Sequence, residues 1–375
     1  MRVRSFFIIV AFLYLFFTAL SGIYGFVGYR FIAACLGCFI FLYMLFSANS
    51  TPVNRLGRLW VGGILVAVIA LLFFFSLLSF QSSGGRSLFS VMVLIGALGV
   101  CWFSIASCST VYVYEFPFYL LLGISLSLFL LLGYGPAEFN TVLTGYSRNG
   151  YSAILLAFAS GYVFSRVYRQ KKISVVLMLL VLVLSFPLYG RSGIAMAFVL
   201  FITVLFHRSA KIALLIGFIG LLGIIYGLDY VENFVLGATN FSSGIESPRS
   251  EMLAQYIERV DVWGLFFGVD LGSVPIVSEY KGNPHNAFIL LHSYYGVAVL
   301  PLLCLFVVSA WMLFVDKQYV LLMVMFVFLI RAFFDIIYLF GLFDYLVFPL
   351  LFYSVFAKGF QCSHCFVPFS SEAKS

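Results

Sequence analysis

The sequence predicts an all-α protein that crosses a membrane many times, and three observations lead there. Its 375 residues are 63% hydrophobic and only 9% charged, with a mean hydropathy of +1.12, whereas soluble domains carry about 25% charged residues. Apolar runs able to cross about 30 Å of hydrocarbon recur along the whole length. Basic residues favour alternate connections between those runs, the pattern that orients helices in a bilayer.

Twelve runs are expected to span, at about 5–21, 31–47, 59–80, 88–107, 116–134, 150–165, 173–189, 192–206, 211–228, 296–315, 319–337 and 342–357. The first follows Arg2 and Arg4 as a signal peptide would, but no clear small-residue cleavage site comes after it, so it is read as a retained span. With the N-terminus inside, 13 Lys and Arg fall inside and 7 outside, with Arg331 left within a run. The bias predicts that both termini, including the tail 358–375, lie on the inner side. The net charge of +7 is then mostly this patterning, and no basic face of the kind that binds nucleic acid is expected. Cys362-Ser-His364-Cys365 has metal-like spacing but supplies three ligands where a tetrahedral site needs four, so no metal is expected there.

The connection 229–284 is the one long loop, on the outer face, and it separates a block of nine spans (1–228) from three more (296–357). Loops of this length are functional or disordered, and Trp263, Leu265, Phe266 and Phe267 favour an ordered cap. Ser247-Pro248-Arg249-Ser250-Glu251 reads as a helix start, with Ser247 as N-cap and Pro248 in the first turn. Met252, Leu253, Tyr256, Ile257 and Val260 follow at helical spacing, which predicts an amphipathic helix over about 248–261. A second interfacial helix is expected over 286–295.

Residues able to do chemistry concentrate at this face. Asn283-Pro284-His285-Asn286 stands where the loop re-enters the membrane. His285 is suited to proton transfer near neutral pH or to a structural hydrogen bond, and Asn283 and Asn286 add polar groups beside it. Arg191, in a bare Gly190-Arg191-Ser192-Gly193 turn, suits phosphate oxygens or a snorkelling anchor. Arg249 sits where helix N–H groups also favour anions, or it pairs with Glu246 or Glu251. Arg148 is a third cationic candidate. Arg331 and Asp335, four apart, are expected to pair, as a clamp, a substrate-facing site or a transporter's proton relay, and Asp344 is placed to join them.

Three motifs carry a resemblance to one family. Gly190-Arg191-Ser192-Gly193 opening an apolar helix is similar to a Ser-Arg-Gly-Ala signature with the small residues reordered. Pro248–Met252 followed by Gly264, Gly268 and Gly272 resembles an Arg-helix-Gly-x-Gly-x-Gly loop in degenerate form. Asn283-Pro284-His285-Asn286, nine residues and then Gly296 match a His-Asn-x9-Gly motif. That family is the O-antigen ligase and O-antigen polymerase superfamily of bacterial inner membranes. The ligase form expects Gly, Thr or Tyr where this chain has Val299, which tips the expectation narrowly to a polymerase.

The resemblance implies a GT-C-like, metal- and cofactor-independent glycosyltransferase. Its donor would be an undecaprenyl-diphosphate-linked oligosaccharide at the periplasmic face, and its acceptor another lipid-linked glycan or the lipid A core. Arg191 and Arg249 would bind the diphosphate and His285 would act as general base. Arg148, Asn283, Asn286, Arg331 and Asp335 would be possible substrate contacts. Two other classes compete: a polysaccharide or lipid transporter, disfavoured because no two-half symmetry is visible, and an assembly protein, which leaves the placement of His285 and the arginines unexplained.

Overall fold

A computed structural model describes residues 2–47, 52–80, 84–144, 146–188, 190–226 and 248–359. The described residues form helices and connections with no strand. In chain order the helices are α1 (Arg2–Tyr24), α2 (Val27–Phe46), α3 (Pro52–Leu78), α4 (Gly84–Ala106), α5 (Phe116–Leu130), α6 (Pro136–Phe139), α7 (Arg148–Tyr168), α8 (Val175–Ser185), α9 (Arg191–Arg208) and α10 (Ala210–Tyr226). After the loop come α11 (Pro248–Glu258), α12 (Val262–Phe267), α13 (Pro275–Glu279), α14 (Ala287–Tyr295), α15 (Val299–Val315) and α16 (Tyr319–Phe333). Among the described residues, seven helices are long and apolar enough to cross a membrane, and α8 and α16 are shorter apolar helices. The protein is therefore a multi-pass, all-α membrane protein. Residues 229–247 of the long loop, Ser247 as N-cap and the Cys362–Cys365 tail lie outside the described residues.

α7 is the hub. Every residue from Gly150 to Ser165 is buried, so this helix meets protein on all sides. That explains why Ser152, Ser160 and Ser165 are tolerated there, since only lipid-facing positions must be apolar. α2 and α4 pack backbone to backbone: a Cβ on Gly37 would lie 2.5 Å from the Gly96 carbonyl oxygen. Small residues permit such approach in lipid, where helices gain nothing from hiding apolar surface.

Hydrogen bonds and ion pairs sort the helix ends onto two faces. On one, Thr144 N–H donates to the Ile23 carbonyl at the end of α1 (3.2 Å), and the end of α16 meets the starts of α7 and α9 through Arg331. On the other, Arg166 and Arg169 at the end of α7 clasp the buried Glu115 at 3.4 and 2.9 Å, and Tyr353 donates to Asp316 (3.0 Å).

The last expected span takes a different form. Over 342–357 the structure has three short pieces, Asp344–Leu346, Phe348–Leu351 and Tyr353–Gly359, and all of 338–357 is buried. Asp344 causes the break: its Oδ2 accepts the N–H groups of Phe340 (2.6 Å) and Gly341 (2.8 Å), stabilising positive φ at Leu339 and Phe340. Pro349 then lacks the donor a longer helix would need. Irregular backbone is tolerated at membrane depth when protein surrounds it. Hydropathy cannot separate such a segment from a lipid-facing helix.

Candidate functional site

Arg331, at the C-terminal end of α16, organises the site and is only 2% exposed. One terminal nitrogen donates to Ser192 Oγ (2.6 Å); the other donates to the Asn149 carbonyl (2.9 Å) and pairs with Asp335 Oδ2 (3.2 Å). The expected Arg331–Asp335 pair thus forms, and its guanidinium also ties α16 to α7 and α9. Arg331 Nε and Asn149 Oδ1 are buried without a hydrogen-bond partner among the described residues. Asp335, just past the helix end, accepts the Ile336 N–H through Oδ1 (2.8 Å).

Arg249 approaches from the loop. It lies in the first turn of α11, whose apolar spacing is realised with Met252 and Tyr256 buried. Its guanidinium carbon sits 5.9 Å from the centre of the Phe334 ring. Burial holds this guanidinium below its ordinary pKa, with repulsion from Arg331 and Arg191 adding to the effect and Asp335 opposing it. Arg191 begins α9 beside Ser192. Three guanidinium groups from separate segments therefore act on one another, with Asp335 as the carboxylate among them. Such a cluster favours an anion.

His285 completes the group. Its φ is +50°, and its N–H donates to Asn283 Oδ1 (2.8 Å), an Asx turn that fixes the tight bend after Pro284. Its ring meets Tyr280 edge-on at 5.7 Å. Burial lowers the imidazole pKa, Arg249 lowers it further, and Asp335 raises it. The imidazole is accordingly neutral at pH 7 and able to accept a proton.

The two asparagines serve the backbone. Asn286 is 5% exposed and caps α14, its Oδ1 accepting from Phe288 (2.9 Å) and Ile289 (3.1 Å). With Asn283 Oδ1 in the Asx turn, both side-chain oxygens shape the bend that presents His285. Arg148 donates to the Pro136 carbonyl (3.4 Å), and the backbone carbonyl of Asn149 next to it reaches Arg331. Asp344 caps backbone instead of joining the Arg331–Asp335 pair. Among the described residues no three His, Cys, Asp or Glu side chains converge as a metal would require.

The loop is seated by two interlocked glycines. Gly268, which ends α12, has φ +85°, and a Cβ there would lie 2.3 Å from the Ser293 carbonyl oxygen of α14. Gly296, which ends α14, has φ +51°, and its Cβ would lie 2.0 Å from the Phe266 carbonyl oxygen. His292 closes the joint: Tyr256 hydroxyl lies 2.7 Å from its Nδ1, and the Leu265 carbonyl 3.2 Å from its Nε2. An Nε2–H tautomer satisfies both contacts. The expected interfacial helix 286–295 is thereby α14, which runs through Gly296 into α15 as one apolar stretch. In the sequence the spacing from His285 to Gly296 is read only as a motif, and the roles of Ser192, Asn149 and Tyr256 leave no readable trace.

No known family profile, characterised protein or solved structure matches the chain.

Proposed function

We propose that the protein is a metal-independent glycosyltransferase of the O-antigen ligase and polymerase type. In this reading it lies in a bacterial inner membrane with twelve crossings, a GT-C-like arrangement and both termini inside. The observation that carries the reading is the convergence of Arg191, Arg249, Arg331 and the neutral His285 at one end of the helix bundle. It brings an anion-binding patch beside a proton acceptor.

In the transfer, an acceptor hydroxyl attacks the anomeric carbon of a glycan held on undecaprenyl diphosphate. The carbon–oxygen bond to the diphosphate breaks as the new glycosidic bond forms. His285 takes the hydroxyl proton, and the diphosphate leaves with the bond's electrons. Arg191 and Arg249 offset the charge that grows on it, the kind of preorganised electrostatic help that gives most of many rate accelerations. Arg331, spent on Ser192, Asn149 and Asp335, holds the frame. We favour a second lipid-linked glycan as acceptor, a polymerase reaction, on the basis of Val299; a lipid A core acceptor would make the protein a ligase.

The test is transfer in proteoliposomes with a lipid-linked repeat unit. Arg191→Ala and Arg249→Ala are expected to abolish product while membrane insertion stays normal. Lys at either site should restore only part of it, lacking the bidentate fork. His285→Ala should lower turnover by at least about 10²-fold with donor binding little changed. Full activity of Arg249→Ala would remove the loop from the site and sink the reading.

A further inference from the structure

We propose that Arg30 and Arg86 form a second anion-binding subsite on the same face, which takes the diphosphate of a lipid-linked acceptor. The assignment rests on the transferase reading above and deepens it, because it gives the lipid-linked acceptor a binding site of its own.

Arg30 stands near the start of α2 and Arg86 near the start of α4, helices packed backbone to backbone at Gly37 and Gly96. Arg30 is half-buried, its guanidinium carbon 5.5 Å from the centre of the Phe89 ring. Its Nε is buried and has no hydrogen-bond partner among the described residues. Phe89 lies three residues after Arg86 on α4, so its contact with Arg30 brings that residue to the turn that carries Arg86, and both charges act on the Tyr294 hydroxyl of α14. The next residue, Tyr295, donates to the Ser87 carbonyl (3.0 Å), fixing this end of α14 against α4.

Neither arginine lies within ion-pair distance of a carboxylate among the described residues, where the pairs that form involve Arg166, Arg169 and Arg331. Asp344 is the carboxylate on which Arg30 acts. It is fully buried, with Oδ2 accepting from Phe340 and Gly341, so it is not open to a ligand. Two neighbouring cations lower their mutual repulsion by taking up an anion, and guanidinium forks match phosphate oxygens.

The subsite adjoins the first cluster through Tyr146, which both Arg30 and Asp335 influence. Tyr146 packs on Gly22 of α1 and meets the Phe343 ring at 6.3 Å. A transfer between two lipid-linked glycans brings two diphosphates to one membrane face. The structure has two arginine groups there to receive them.

Native mass spectrometry of the full chain in detergent, with sugar-free undecaprenyl diphosphate as probe, tests this. Wild type should bind two lipids. Arg30→Gln/Arg86→Gln should keep one, as should Arg191→Gln/Arg249→Gln, and retention of the other lipid shows that each variant is folded. Should the first double variant bind none, Arg30→Lys/Arg86→Lys decides. Second-lipid affinity lowered about 10-fold, as loss of charge-assisted fork bonds requires, supports the subsite, and unchanged affinity overturns it. One lipid on wild type, lost only in the Arg191 and Arg249 variant, overturns the second subsite and leaves the transferase reading standing. Displacement of the second lipid by equimolar phosphatidylglycerol makes it an ordinary headgroup site and also overturns the proposal. No lipid on wild type sinks both readings together.

Discussion

Replacing Gly268 with alanine should unseat the loop from the membrane helices, and the size of the effect follows from the backbone. At φ +85° and ψ 167° the residue occupies a region that is essentially glycine-only, where a side chain costs about 1–3 kcal/mol. The added Cβ would also lie 2.3 Å from the Ser293 carbonyl oxygen and 2.7 Å from that of His292. Both are helix backbone and cannot rotate away. Reaching ordinary contact at 3.4 Å requires α12 to lift by roughly 1 Å. That shift breaks the His292–Leu265 contact, a further loss of about 0.5–1.5 kcal/mol.

Together the two terms give roughly 1.5–4.5 kcal/mol, or about 10- to 10³-fold in a local opening equilibrium, since about 1.4 kcal/mol is one decade. Hydrogen exchange of the protein in nanodiscs measures this directly. Amides of 262–273 and 286–295 should exchange faster by about 10²-fold, with those of 150–165 unchanged. Gly296→Ala should do the same, and the two changes should combine to less than their sum because they disrupt one contact. Exchange within about threefold of wild type in Gly268→Ala would refute the interlock.

Protonation of His285 should fall below the ordinary imidazole value of about 6.5, because burial and then Arg249 disfavour the cation. An NMR titration or pH–rate profile should show Arg249→Gln moving the inflection up and Asp335→Asn moving it down. For stability the sign follows from the same depression: the contribution of neutral His285 is fully present above the unfolded value and is lost as pH falls through the folded one. Arg331→Lys keeps the charge but cannot reach Ser192, Asn149 and Asp335 together. It should lower stability in thermal unfolding by about 2–4 kcal/mol, near the cost of breaking a buried pair. Arg331→Met/Asp335→Leu should be more stable than Arg331→Met alone, since no buried charge is left uncompensated.

What the sequence disclosed, and what it hid, divides along the range of the interactions. The helical spans and the amphipathic helix after Pro248 follow from local pattern, and so does the Arg331–Asp335 pair, because residues four apart stay within reach at a helix end even with Asp335 just past it. His285 drew attention through its place at the end of a polar loop. Asn283 and Asn286 were legible in a second way, because Asn-Pro-x-Asn before an apolar run is also an Asx turn followed by an N-cap, and their side-chain oxygens take those places.

Other parts depend on contacts between distant segments. Arg148 and Asn149 are adjacent in sequence, and only the helix that places one of them against Arg331 decides which is used. Arg30 looked like one of the outward-facing basic residues in a topology count, because the unpartnered Nε that sets it apart exists only after folding. The broken segment from Tyr338 to Ala357 is as apolar as a spanning helix, since protein surrounds it on every side. Asp344 is the one charged residue in it that could have betrayed it. A carboxylate in an apolar run needs donors, and an unbroken helix leaves none free beyond its first turn, so its presence there required N–H groups to be released from the helix ladder. The same carboxylate feels the charge of Arg30, so Asp344 couples the broken segment electrostatically to the start of α2.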